Sequence, residues 1–131
     1  MTHESPQFNG LKVLVVEDEA IISFMIEDML RELGFGEVFH AASIANALLA
    51  VERNRPDVAI LDVNLGGAPV YAVAEKLEAA GVSFAFASGY GRGGISDAWA
   101  GKTVIQKPFD LIRLAEGLRA CLAAGPSQRP V

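Results

Sequence analysis

The chain has 131 residues, 51% of them hydrophobic and 21% charged, with a net charge of -5 and a sequence pI near 4.9. That is the length of one domain, with enough apolar material for a core that needs no staples. The acidic balance excludes a nucleic-acid surface, which needs clustered Lys and Arg, and no stretch approaches the ~20 apolar residues of a membrane span or the pattern of a secretory leader.

The opening segment, MTHESPQFN, is polar and without periodicity, and reads as a loose arm over residues 1–9 ahead of a domain at 10–124. Leu11 to Val16 is the first strand, and it runs straight into Glu17, Asp18 and Glu19. Carboxylates at a helix start are favoured by the macrodipole, which accounts for Glu19 and only partly for the pair before it. Ile22, Met25, Ile26, Met29, Leu30 and Leu33 then keep the three-four spacing of an amphipathic helix, read as core packing throughout and stopped by Gly34 and Gly36. Val38 to Ala42 is a weaker second strand ending in small neutral residues, and Ser43 caps a helix with Ala47, Leu48 and Val51 on one face. His3 and His40 are too far apart and too unsupported to suggest a metal pair.

Val58 to Leu61 is an unbroken apolar run between Pro56 and the Gly66-Gly67 pair, the pattern of a buried central strand, and it ends in Asp62. Alone, Asp62 also fits a residue that starts a turn or caps a helix. A third helix follows over Val70 to Ala80, then a fourth strand, Val82 to Ala87, ending in Ser88. Gly89 to Gly101 is glycine-rich, holds Ile95 and Trp99, and has room for at most a short helix. Thr103 to Gln106 is the fifth strand, closed by Lys107 and Pro108, and Asp110 caps a last helix with Leu111, Leu114, Leu118, Cys121 and Leu122 on one stripe. Cys121 is the sole cysteine, which suits a packing role in a reduced compartment. The segment 125–131, GPSQRPV, reads as a flexible tail.

Strands alternating with helices imply βαβ crossovers, hence a parallel sheet with helices on both faces. The polar strand ends then gather at one edge: Glu17 and Asp18, Asp62, Ser88 and Lys107. Three close carboxylates repel one another unless a cation stands between them, and a hard divalent ion, Mg2+, suits oxygen ligands and phosphate together. Such a set can bring a phosphoryl group to the Asp62 carboxylate, a nucleophile already ionised at neutral pH, while Lys107 and Ser88 meet the phosphoryl oxygens. No catalytic histidine is required.

These residues resemble the receiver domain of bacterial two-component response regulators, over Leu11 to Ala124. The resemblance implies a flavodoxin-like, doubly wound five-stranded parallel α/β sheet of order 2-1-3-4-5. It places metal ligands on Glu17, Asp18, Asp62 and, through its main-chain carbonyl, Asn64. It further places the phosphorylated aspartate on Asp62, the switch hydroxyl on Ser88 and the family's lysine on Lys107, followed by its proline, Pro108. The stretch SFAFASGYG, Ser83 to Gly91, looks like the phenylalanine-rich fourth-strand motif of a single-domain subgroup, with serine for the more usual threonine. Two positions depart from the family. Gly66 stands where a proline is common, which predicts a looser loop after Asp62. Val104 stands where an aromatic often reports phosphorylation, so that coupling is not expected here; Tyr90 is either its substitute or a plain exposed tyrosine. In its place, the reading predicts a mobile Gly89 to Gly101 segment that orders around Ser88 on phosphorylation.

A haloacid-dehalogenase-type phosphohydrolase shares an Asp nucleophile, a hydroxyl, a Lys and Mg2+, but needs an acid where Asn64 stands and a nucleophile on the first strand. A nucleotide-binding or flavodoxin-type domain lacks its glycine-rich phosphate loop here, three acids standing in that place. The expectation is therefore a stand-alone receiver in the cytoplasm, with self-catalysed phosphotransfer and dephosphorylation but no substrate turnover of its own. It would take its phosphoryl group from a histidine kinase or histidine phosphotransfer protein and signal through contacts with a downstream protein target, without nucleic acid or membrane.

Overall fold

The structure is a computed structural model that describes residues 8–125. Its elements run β1 (Lys12–Val16), α1 (Ala20–Glu32), β2 (Glu37–Ala41), α2 (Ile44–Asn54), β3 (Val58–Asp62), β4 (Asn64–Leu65), β5 (Ala68–Pro69), α3 (Tyr71–Ala79) and β6 (Ser83–Ser88). Two short 3-10 turns, Gly91–Gly94 and Asp97–Trp99, lead to β7 (Thr103–Gln106) and α4 (Leu111–Ala124). The main sheet is parallel throughout, in the order β2-β1-β3-β6-β7, the predicted 2-1-3-4-5 when its own strands are counted. From β1 the chain builds outward through β2, then crosses back to place β3 on the other side of β1. The carboxyl ends of β1 and β3 therefore flank the crevice where strand order reverses.

Strand residues alternate between two cores, as period-two geometry requires. Val13, Val15, Val58, Ile60, Ala85 and Ile105 face α1 and α4. Leu14, Val16, Ala59, Leu61, Phe84 and Phe86 face α2, α3 and the connection carrying Trp99. Helix ends follow local chemistry: Ser43 Oγ accepts from Asn46 N at 3.1 Å and Asp110 Oδ1 from Arg113 N at 2.9 Å, each satisfying a backbone donor that a helix start leaves open. Gly117 brings α4 against β7, since a Cβ there would stand 2.5 Å from Ile105 Cγ1. No helix among the described residues is long and apolar enough to cross a membrane.

Three expectations need correcting. The loose N-terminal arm does not extend to Phe8, which is fully buried and stacks on Phe35 with ring centroids 5.0 Å apart; residues 1–7 and the tail beyond Gly125 lie outside the described residues. Met25 is not core. It is 58% exposed, beside Phe24 and Ile21, because α1 carries apolar residues around more of its circumference than the sheet can cover. The loop after Asp62 is a two-residue hairpin, with Gly66 (φ 59) and Gly67 (φ 86) in the consecutive left-handed conformations that suit the twist of its strands. Gly66 N also donates to Asp18 Oδ2 at 3.1 Å, so glycine there ties the loop to the acid cluster.

Candidate functional site

Main-chain hydrogen bonds carry the sheet one residue past its strands and fix two of the functional side chains. Glu17 N donates to Ala41 O at 3.0 Å, and Lys107 N to Ser88 O at 2.9 Å. Asp62 closes β3 and Ser88 closes β6, so all four groups stand on the same edge. Lys107 Nζ lies 3.0 Å from Glu17 Oε1 and 3.6 Å from Asp62 Oδ1. Glu17, Asp18 and Asp62 each offer a carboxylate oxygen, and these oxygens lie within 4.8 Å of one another. A cavity of about 490 Å3 opens over this edge, lined among others by Asp62, Asn64, Ser88, Tyr90 and Lys107.

The electrostatics follow from that crowding. Burial and then the neighbouring Glu17 carboxylate push the Asp62 carboxyl up from 3.8 to about 6, against the Lys107 ammonium and the Asn64 N–H, which favour its ionised form. Burial would lower Lys107, but the hydrogen bond to Glu17 and the charge of Asp62 outweigh it and hold the ammonium above its usual range. Protein groups alone thus leave the cluster short of positive charge. A hard cation fits this donor set, since Glu17 and Asp18 offer carboxylate oxygens beside an aspartate whose ionised form needs stabilising. The Ser88 hydroxyl is buried, and its oxygen accepts from Tyr90 N at 3.0 Å, leaving its own proton for another acceptor.

Every site residue named from sequence reaches this edge. Glu19 is the N-cap residue of α1 without a side-chain cap, and it lines the cavity rim. Tyr90 points outward, 86% exposed. The Gly89 to Gly101 connection divides: Trp99 is buried against Tyr71, Phe84 and Phe86, so its distal half is packed before any phosphorylation. Sequence reasoning missed Tyr71, which lines the cavity and accepts from Ser96 N at 2.8 Å on Oη; its link to Trp99 is tertiary and has no local signal. Two residues away from the site gain surroundings that sequence did not show. His40 lies between Ser23 Oγ at 2.6 Å and Glu27 Oε1 at 2.7 Å, and Cys121 is a buried thiol, its pKa pushed up to about 12 by burial.

Comparison with known proteins agrees with the geometry. Residues 13–119 match the response regulator receiver domain family, and the chain belongs to it. TcrA, a transcriptional regulatory protein of Mycobacterium tuberculosis, is 32% identical over 127 residues, covering 93% of this chain and 50% of its own length. YvrH, a transcriptional regulatory protein of Bacillus subtilis, is 31% identical over 118 residues, covering 84% and 48%. The chain therefore spans about half the length of these curated relatives. Among solved structures, SdrG from Sphingomonas melonis Fr1 superposes with a TM-score of 0.77 at 37% identity, covering 93% of this chain and 99% of that one. The receiver domain of the sensor histidine kinase PA1611 from Pseudomonas aeruginosa, solved with magnesium in its active-site cleft, gives 0.71 at 25% identity, covering 87% and 98%. The chain is thus a phosphoacceptor receiver domain of two-component signalling, a class that works with histidine kinases or phosphotransfer proteins and binds Mg2+ in an acidic pocket. The haloacid-dehalogenase alternative finds no support.

Proposed function

We propose that Asp62 is the phosphoacceptor, with Lys107 and Ser88 as its phosphoryl-binding partners and Glu17, Asp18, Asp62 and Asn64 as the Mg2+ site. The observation that carries this reading is the single ammonium of Lys107 set 3.0 Å from Glu17 and 3.6 Å from Asp62 at the mouth of one cavity. An Asp62 oxygen attacks the phosphorus of a phosphohistidine, forming the acyl phosphate O–P bond as the N–P bond breaks and its electron pair returns to the imidazole. Lys107 holds one phosphoryl oxygen electrostatically and the Ser88 hydroxyl donates to another. Bound Mg2+ supplies the positive charge that lets acid cluster and phosphoryl group coexist. The residues catalyse both transfer and hydrolytic release, and a downstream protein reads the altered surface.

A protein donor suits the site, because the surface beside the acceptor carboxylate is apolar and can dock one. A groove of about 400 Å3 lined by Ile22, Met25, Met29, Pro108 and Phe109 runs into Gly89 and Lys107, which line the phosphoryl cavity as well. The test is labelling by acetyl phosphate and by a histidine kinase, with and without Mg2+. Label is expected to be released by hydroxylamine, as an acyl phosphate is, to require the metal, and to vanish in Asp62→Asn. Undiminished labelling of that variant overturns the assignment.

A further inference from the structure

The 3-10 turn Gly91–Gly94 folds back over the Ser88 side chain. A Cβ on Gly94 would overlap the Ser88 hydroxyl oxygen, the same atom that accepts from Tyr90 N at 3.0 Å, and would stand 3.4 Å from Tyr90 Cβ. Gly94 is not among the glycines with positive φ, so the demand for glycine is one of space and not of backbone conformation. At Gly89 and Gly93, both earlier in the same stretch, a Cβ would meet nothing within 4 Å. The crowding is specific to one glycine in a run of several. Two residues on, Ser96 N is bonded to Tyr71 Oη at 2.8 Å, and Trp99 is buried behind it, so the turn is anchored immediately downstream.

We propose that Gly94 is a positioning residue for phosphoryl acceptance: its lack of a Cβ leaves the space in which the Ser88 hydroxyl holds the rotamer that keeps the Tyr90 contact and serves the cavity. Gly94 lines that cavity together with Asp62 and Lys107, so the rotamer it permits lies at the wall of the site. A side chain at position 94 leaves two ways out. Either Ser88 turns its oxygen away, or the turn lifts against the Ser96–Tyr71 bond. Rotating one small side chain disturbs less structure than breaking that anchor, so the hydroxyl is what moves, and the hydrogen bond it would donate to the phosphoryl group is lost. The inference rests on the reading of Ser88 as a phosphoryl ligand, and the test separates the two.

Beryllofluoride affinity, in saturating Mg2+, is measured by calorimetry on the full chain for wild type, Gly93→Ala, Gly94→Ala, Ser88→Ala and Ser88→Ala/Gly94→Ala. Gly94→Ala is expected to bind about tenfold more weakly, the loss of one charge-assisted hydrogen bond, and Gly93→Ala to match wild type. In Ser88→Ala the overlapping oxygen is gone, so adding Gly94→Ala is expected to cost nothing more. A general loosening of the turn would not show this dependence on a single oxygen, and the double variant keeps the comparison available if Gly94→Ala alone folds poorly. Gly94→Ala binding as well as Gly93→Ala while Ser88→Ala is weakened, or a double variant weaker than Ser88→Ala, overturns the positioning role alone. Wild-type affinity in Ser88→Ala overturns the role of Ser88 and this inference with it.

Discussion

The strand β7 has a lysine at each end, and the two face different company. Lys102, just before the strand, is 8% exposed, with Nζ 3.1 Å from Glu78 Oε2 and 4.3 Å from the centre of the Phe84 ring. Lys107, just after it, faces Glu17 and Asp62, themselves grouped with Asp18. One end is an enclosed ion pair covered by an aromatic face. The other is a surplus of negative charge open to a cavity. An enclosed pair presents no charge to a ligand, whereas a surplus of acid at a cavity gains from a cation or from neutralisation. The two ion pairs, 3.1 and 3.0 Å across, are thus distinguished by their surroundings and not by distance.

The sharpest way to break the comparison is to remove the cation at the enclosed end. Lys102→Ala takes the ammonium from the largely enclosed Glu78 carboxylate and from the Phe84 face, and is expected to destabilise the fold by about 2 kcal/mol in chemical denaturation, while the label on Asp62 persists. A change within about 0.5 kcal/mol, what a surface site gives, would make the two ends equivalent.

At the other end the sign reverses. Asp62 has its carboxyl raised to about 6 from 3.8, so in metal-free buffer the folded chain holds a proton there that the unfolded chain releases. That contribution to stability is full below pH 3.8 and is lost as pH rises through about 6. Asp62→Asn should therefore stabilise the metal-free protein above that range by about 1–2 kcal/mol, allowing for water that reaches the half-buried group, and should flatten the pH dependence between the two values. Urea melts of both chains across this window check it, and a steeper slope in the variant would refute it.

The smallest effect on stability belongs to the rim. Met25→Asp, at an exposed position, should change stability by less than about 0.5 kcal/mol and leave acetyl phosphate labelling intact. Transfer from a kinase should slow, since a charge would then stand in the apolar groove. Equal slowing with both donors would remove the groove from donor docking.

Much of this was readable from sequence, because the informative signals were local. Ser43 and Asp110 cap the helices they announce, the apolar runs at Val58 and Ser83 lie in parallel strands, and the polar residues after each run land on one edge. What escaped was tertiary or too short to have a period. The strands Asn64–Leu65 and Ala68–Pro69 are two residues each, so only the Gly66-Gly67 pair marks their hairpin. Spacing marked Met25 as apolar-face but not how wide a face the sheet could cover, and Phe8, a lone aromatic among polar residues, gave no hint of its place on Phe35. The pressure of Gly94 on Ser88 depends on a fold-back that glycine composition alone does not dictate.

The close fit of Ile105 against Gly117 has a mechanical consequence. With Ile105 Cγ1 and Cδ1 2.5 and 2.6 Å from where a Cβ would stand, the isoleucine is a peg in a socket that exists at only one point along α4. Sliding α4 along β7 would carry a larger residue onto Ile105, so the close packing opposes such a shift. Lys107 lies two residues beyond the peg, so the residue that seats α4 on the sheet and the ammonium facing Glu17 and Asp62 are carried by one short stretch of chain.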